Sequence, residues 1–217
     1  MNGLATTTTM VDSMLLKVGV RRSLAVDLAL IVGFSWFIAL FARISFLQGT
    51  VPISGQTFAV LLTGALLGSR LGGLSLMAYV AQGIYGLPVF AISATMGYGG
   101  GIARLAGPTG GYIMGFVVAA FIVGLLAERG WDRRFWSMAL AMLVGNVVIY
   151  FFGLPWLSHF GPFAFSGLKQ DWLWADPTTG GLFMAGLYPF IPGDLIKLVL
   201  ATAMVPSGWA WLSRLRG

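Results

Sequence analysis

Long apolar runs, separated by short polar or glycine-rich breaks, occupy most of the chain. Six can be marked, at 24–44, 56–68, 71–85, 109–127, 135–156 and 181–205. A helix crosses a bilayer in roughly 20 residues, with a range of about 17–25. The second and third runs are short, and Gly68-Ser69-Arg70-Leu71-Gly72-Gly73 between them predicts a turn. Six spans are expected, with five spans and a re-entrant second segment as the rival count. The stretches 45–55, 86–108 and 157–180 then form loops on one side. Loops longer than about 12–15 residues are often functional lids. No heptad or strong internal repeat is present, which weakens the case for an inverted-repeat carrier. The expected architecture is an all-α integral membrane protein, with six transmembrane helices and outward-facing loops over a ligand pocket. Residues 1–20 are expected to form a cytoplasmic N-terminal segment, and 21–217 a single six-helix membrane domain.

Composition agrees. The chain is 58% hydrophobic and 9% charged, with a mean hydropathy of +0.87. Soluble domains carry about 25% charged residues, so too little polar surface exists here to cover a water-soluble body. Cysteine is absent and His159 is the single histidine, which excludes disulfides, thiolate metal sites and a histidine-rich metal centre. The net charge of +6 invites a nucleic-acid reading, but topology explains it better. With six spans, one side holds Lys17, Arg21, Arg22, Arg70, Arg129, Arg133, Arg134, Arg214 and Arg216. The other holds Arg43, Arg104 and Lys169, and Lys197 falls within the last apolar run. Positive loops stay cytoplasmic, so both termini are expected there. Arg21-Arg22 before an apolar run also resembles a signal peptide. The run is longer than a usual signal core, however, and Arg43 ends it where small residues would be expected.

Candidate chemistry gathers on the outer side. Asp194 and Lys197, three residues apart, share a helix face. Ionisable groups within a membrane usually mark an interior or ligand site. Pro189, Pro192 and Gly193 argue against a continuous helix from 181 onward, so a fresh helix is expected near Asp194, with its N-terminus attractive to anions. Gln56 offers an amide at a helix start, either as a cap or towards a ligand. Seven glycines lie between 97 and 111, and Arg104 is the one charge in that loop, either an interfacial side chain or a donor to a carbonyl or carboxylate. No G-x-x-x-x-G-K-[ST] occurs. Thr109 after Pro108 is expected to cap the next helix. Asn146 and Tyr150, four apart, could bond a neighbouring helix or a ligand. Tyr85, Phe90, Tyr98, Trp156 and Phe190 are candidate pocket walls. These groups suit a small amphipathic ligand with a carboxylate and a polar ring.

Four segments in register resemble the BioY family, the biotin-specific substrate-binding subunits of energy-coupling factor transporters. They are Val51-Pro52-Ile53 with Gln56-Thr57, Gly86-Leu87-Pro88-Val89-Phe90, Gly107-Pro108-Thr109-Gly110-Gly111-Tyr112, and Pro189-Phe190-Ile191-Pro192-Gly193-Asp194-Leu195-Ile196-Lys197. The resemblance runs from about residue 20 to 205. It implies six membrane helices, a biotin site near the outer face, and a multi-pass protein of the bacterial cytoplasmic (inner) membrane. It also implies Gln56, Arg104, Asp194 and Lys197 as site residues, and the residue reading adds Tyr98, Asn146 and Tyr150 as further candidates. The partners it implies are a transmembrane coupling subunit and two ATP-binding subunits, with ATP used only through them and no cofactor or metal in this chain. The family packs its first helix on the coupling subunit through small residues four apart, which Ala25 and Ala29 match.

Two other functions compete at this level. One is a self-sufficient vitamin carrier, monomeric or oligomeric, driven by a gradient. The other is a membrane-embedded acyltransferase with Asp194 as base and Ser54 or Thr57 as nucleophile, which the lack of a histidine-centred arrangement disfavours. No catalytic residue is assigned.

Overall fold

The computed structural model describes residues 9–47, 51–92, 100–160 and 180–214. Its helices are α1 (Met10–Lys17), α2 (Leu24–Arg43), α3 (Gln56–Ile84), α4 (Ile102–Ala106), α5 (Gly110–Glu128), α6 (Phe135–Ser158), α7 (Gly180–Gly186) and α8 (Ile191–Arg214). Two short strands, β1 (Ser45–Leu47) and β2 (Ile53–Ser54), pair antiparallel after α2. This hairpin is a β element the hydropathy pattern does not announce.

Five helical stretches are long and apolar enough to cross a membrane, and α3 contains two passes. Gly68 within it has φ 82° and ψ −179°, a conformation that breaks a helix and strongly favours glycine. Gln56 Nε2 donates to the Tyr79 hydroxyl at 2.6 Å. In an unbroken helix those residues would stand about 34 Å apart, so residues 56–67 and 69–84 fold back on one another. The new helix start is capped by Glu128, whose Oε1 accepts from the Ser69 backbone N–H at 2.7 Å and from its hydroxyl at 2.9 Å. A Cβ at Gly68 would meet that same Oε1 at 2.5 Å. The turn expected between the second and third runs therefore tightens to one residue, and six apolar helical passes result.

Packing fixes their directions. The ends of α2 and α8 nearest the termini lie together with the Gly68 turn and the end of α5. Lys17 Nζ donates to the Leu212 carbonyl at 2.7 Å, Arg22 bridges Asp12 and Asp27, and Trp209 Nε1 donates to the buried Asp132. Burial pushes the Asp132 carboxyl above the usual carboxylate range. The described ends of the chain thus share one end of the bundle. Lys17, Arg21, Arg22, Arg70, Arg129, Arg133, Arg134 and Arg214 belong to elements that terminate there. Lys169 and Arg216 lie outside the described residues. Helices α3 and α5 form the centre, with 78% and 61% of their most apolar windows buried, whereas α2 is 17% buried. The apolar surface of α2 and of the outer faces of α6 and α8 is the kind a bilayer covers. The chain is a multi-pass membrane protein.

Two helices differ from expectation. Helix α1 was not foreseen, although Thr9 and Asp12 form a reciprocal capping box at its start. Helix α8 begins at Ile191, three residues before Asp194, because Pro192 falls in the first turn, where its missing N–H is not needed. It also runs on through Pro206 to Arg214, past the expected end at 205.

Candidate functional site

At the end of the bundle away from the termini, a cavity of about 50 Å³ lies among β2, α3, α5, α6 and α8. Small-molecule sites are mostly apolar hollows with a few placed polar groups. Here the apolar wall includes Phe90, Tyr112, Ile113, Phe116, Ile149 and Phe190. Its polar groups include Gln56, Thr57, Arg104, Thr109, Tyr150 and Lys197.

The charged pair is held by other helices as well as its own. Asp194 and Lys197 sit one turn apart at the start of α8 and approach to 3.2 Å, with side chains 9% and 17% exposed. The same Asp194 oxygen accepts from the Thr57 hydroxyl at 3.2 Å, and the other accepts from the Tyr150 hydroxyl. Lys197 Nζ also donates to Thr57 Oγ1 at 2.9 Å. Helices α3, α6 and α8 are thereby tied together through one carboxylate. Lys197, Thr57 and Tyr150 face the cavity, while Asp194 lies behind them, on a smaller chamber of about 10 Å³ that it shares with Asn146. Three protein donors, Thr57, Tyr150 and Lys197, hold the carboxylate. Asn146 is 8% exposed, and its Oδ1 has no hydrogen-bond partner among the described residues.

Gln56 is fixed at both ends of its amide. Its Oε1 accepts from the Ser54 hydroxyl at 3.0 Å, its Nε2 donates to Tyr79, and Tyr79 in turn donates to the Val89 carbonyl at 3.2 Å. The residue links the β2 turn to the far half of α3 while its side chain lines the cavity. Arg104, on α4, is 2% exposed and donates to the Ala91 carbonyl. Burial lowers its pKa from the ordinary arginine value, which is so high that the group stays charged. It is therefore a buried cation on the cavity wall, and the interfacial reading of it fails.

The glycine-rich run divides by role. A Cβ at Gly110 would fall 1.7 Å from the Leu105 carbonyl oxygen, and one at Gly111 2.3 Å from Trp156 Cβ. These glycines let α5 start tightly against α4 and α6, and Trp156 Nε1 donates to the Gly107 carbonyl at 2.9 Å. Trp156 thus braces the loop from outside the cavity. Thr109 does occupy the N-cap position of α5, but its side chain makes no cap bond. Of the other expected walls, Phe90 and Phe190 line the cavity, Tyr85 is 90% exposed, and Tyr98 lies outside the described residues. Sequence reasoning passed over Tyr79, Tyr112 and the role of Thr57. Tyr112 and Thr57 stand inside recognisable motifs, whereas Tyr79 has no local signal.

Comparison with known proteins follows the same lines. The family model described as the BioY family matches residues 10–214. The "Probable biotin transporter BioY" of Pyrococcus horikoshii is 38% identical over 181 residues, covering 83% of this chain and 93% of that protein. The biotin transporter BioY of Thermotoga maritima is 37% identical over 168 residues, covering 77% and 86%. Among solved structures, the S-component for biotin from an ECF-type ABC transporter superposes with a TM-score of 0.66 at 27% identity, covering 84% of this chain and 90% of that one.

Proposed function

The chain belongs to the BioY family, and on that footing we propose that it is the biotin-binding membrane subunit of an energy-coupling factor transporter. It is a transport component and not an enzyme. Biotin is captured from the outer face into the cavity described above. An ATP-driven module, made of a transmembrane coupling subunit and two ATP-binding subunits, then supports its delivery inward. The protein sits in the bacterial cytoplasmic membrane with both termini in the cytoplasm. Residues 1–20 lie on that side, and 21–217 work as one membrane unit.

The observation that carries this reading is the cavity wall itself. Lys197 presents an ammonium donor and Tyr150 a hydroxyl oxygen, both held by Asp194, beside an aromatic enclosure. Biotin offers a ureido carbonyl that accepts, two ureido N–H groups that donate, a ring system suited to aromatic walls, and a carboxylate. Gln56, Arg104, Asp194 and Lys197 are the residues assigned to it, with Tyr150 and Asn146 beside them. Tyr98 keeps its candidacy from the sequence. Ala25 and Ala29 lie exposed on α2, and Gly33, a further four residues on, has open space where a Cβ would be. That small-residue stripe supports docking of a partner helix at close range.

The test is direct. The purified chain in detergent binds biotin stoichiometrically, and the ligand is recovered chemically unchanged. A chain that retains no biotin under conditions where it stays folded refutes the assignment.

A further inference from the structure

Thr109 stands out among the cavity residues because its hydroxyl has no hydrogen-bond partner among the described residues. The residue is 6% exposed and its Oγ1 is buried. Buried hydroxyls without a partner are uncommon and cost stability. The obvious employment is missing as well. Thr109 is the N-cap residue of α5, the position where a threonine side chain ordinarily turns back onto the backbone N–H groups two or three residues ahead. Its backbone sits at φ −89° and ψ −4° rather than in the extended region, and no such bond forms. The side chain lines the cavity instead, alongside Arg104.

Three features therefore coincide on this part of the wall: an unused buried hydroxyl, a buried guanidinium, and the N-terminus of a 19-residue helix. A helix N-terminus favours negative charge, and arginine presents donors in a fork that matches a carboxylate. The geometry points to Thr109 as a ligand-binding residue whose hydroxyl, together with Arg104 and the start of α5, receives the carboxylate of the bound molecule. The ureido ring then belongs with Lys197, Tyr150 and the Asp194 carboxylate behind them. This assignment rests on the biotin reading and adds to it an orientation and a specificity element. The free acid is read at α5, and a neutral carboxamide is not.

Binding of biotin and of biotin carboxamide to the purified full-length chain tests it, with the wild type, Thr109→Val and Thr109→Ser compared. Valine has nearly the shape of threonine and removes no cap bond. The unliganded Thr109→Val protein is therefore expected to unfold at the same temperature as the wild type or slightly above it. Its affinity for biotin falls about tenfold or more, the size expected for a hydrogen bond to a charged group. Its affinity for the carboxamide stays within about twofold, since that ligand never gained from the site, and Thr109→Ser restores biotin binding. An unchanged biotin affinity in Thr109→Val, or an equal loss for both ligands, overturns the role of Thr109 while wild-type binding leaves the biotin reading standing. A wild type that binds neither ligand removes both.

Discussion

Asp194 takes hydrogen bonds from three donors, Thr57, Tyr150 and Lys197, which come from three helices. Such a carboxylate is expensive to desolvate and strongly held once satisfied, so the loss of one partner exposes the others. Asp194→Asn removes the charge that answers Lys197, and Lys197→Ala strips the ammonium from the cavity wall. Each change is expected to weaken biotin binding by about 2–5 kcal/mol, the range for truncating one side of a buried charge pair. Tyr150→Phe removes a single charge-assisted bond and should cost less, about 1.5–3 kcal/mol. Equilibrium titration of the detergent-purified variants gives the ordering. Near-wild-type affinity in both Asp194→Asn and Lys197→Ala would defeat the assignment of the pair to the ligand. The pair was legible in the sequence because two charges within an apolar run are conspicuous. Tyr150 was a candidate only as a helix or ligand contact and the role of Thr57 was not legible, since hydroxyls occur on membrane helices for many reasons and only their convergence on one carboxylate gives them a role.

At the scale of elements, Gly68 decides whether 56–84 is one helix or two passes. Its positive φ and the 2.5 Å approach of Glu128 Oε1 to a would-be Cβ leave no comfortable place for a side chain. Gly68→Ala is expected to destabilise the protein by about 1–2 kcal/mol from the left-handed conformation alone, with an added penalty from displacing the Glu128 cap. Thermal unfolding in detergent measures this, and a variant as stable as the wild type would contradict the one-residue turn. The two short apolar runs and the glycines between them made a break legible. Its position was not, because Gly68, Gly72 and Gly73 are alike in sequence and only packing against α5 and α1 singles out the first. The start of α8 was misplaced for a related reason: Pro192 reads as a breaker, yet a proline in a first helical turn breaks nothing.

For the whole molecule, the even number of passes and the shared end of α1 and α8 place the described arginines and Lys17 of the polar segments mostly at one end. In the proposed topology that end faces the cytoplasm, as the positive-inside rule expects. The chain has no cysteine, so a single Arg214→Cys substitution provides a clean probe. A membrane-impermeant maleimide is expected to label it only after permeabilisation, and labelling in intact cells would reverse the topology. On the outer surface of α2, Ala25→Trp with Ala29→Trp is expected to abolish co-purification with the coupling subunit while biotin affinity stays unchanged. Loss of biotin binding in that double variant would instead place α2 in the fold of the site.

Hydropathy and charge order by themselves determined a six-pass membrane protein and the relative sidedness of its loops, because burial in lipid acts on averages over some twenty residues and leaves a one-dimensional trace. Four motifs in register were enough for the family, and an ionic pair in an apolar run was enough to mark the site. Tertiary structure alone decided which side chains the ligand cavity presents: that Asp194 stands behind Thr57, Tyr150 and Lys197, that Gln56 is bound into a Ser54–Tyr79 chain, that the glycines of the 107–111 run serve helix contact, and that the Thr109 hydroxyl is turned away from its cap. Hydrogen bonds form between residues up to 195 positions apart, and their partners are set by three-dimensional proximity that no local pattern encodes.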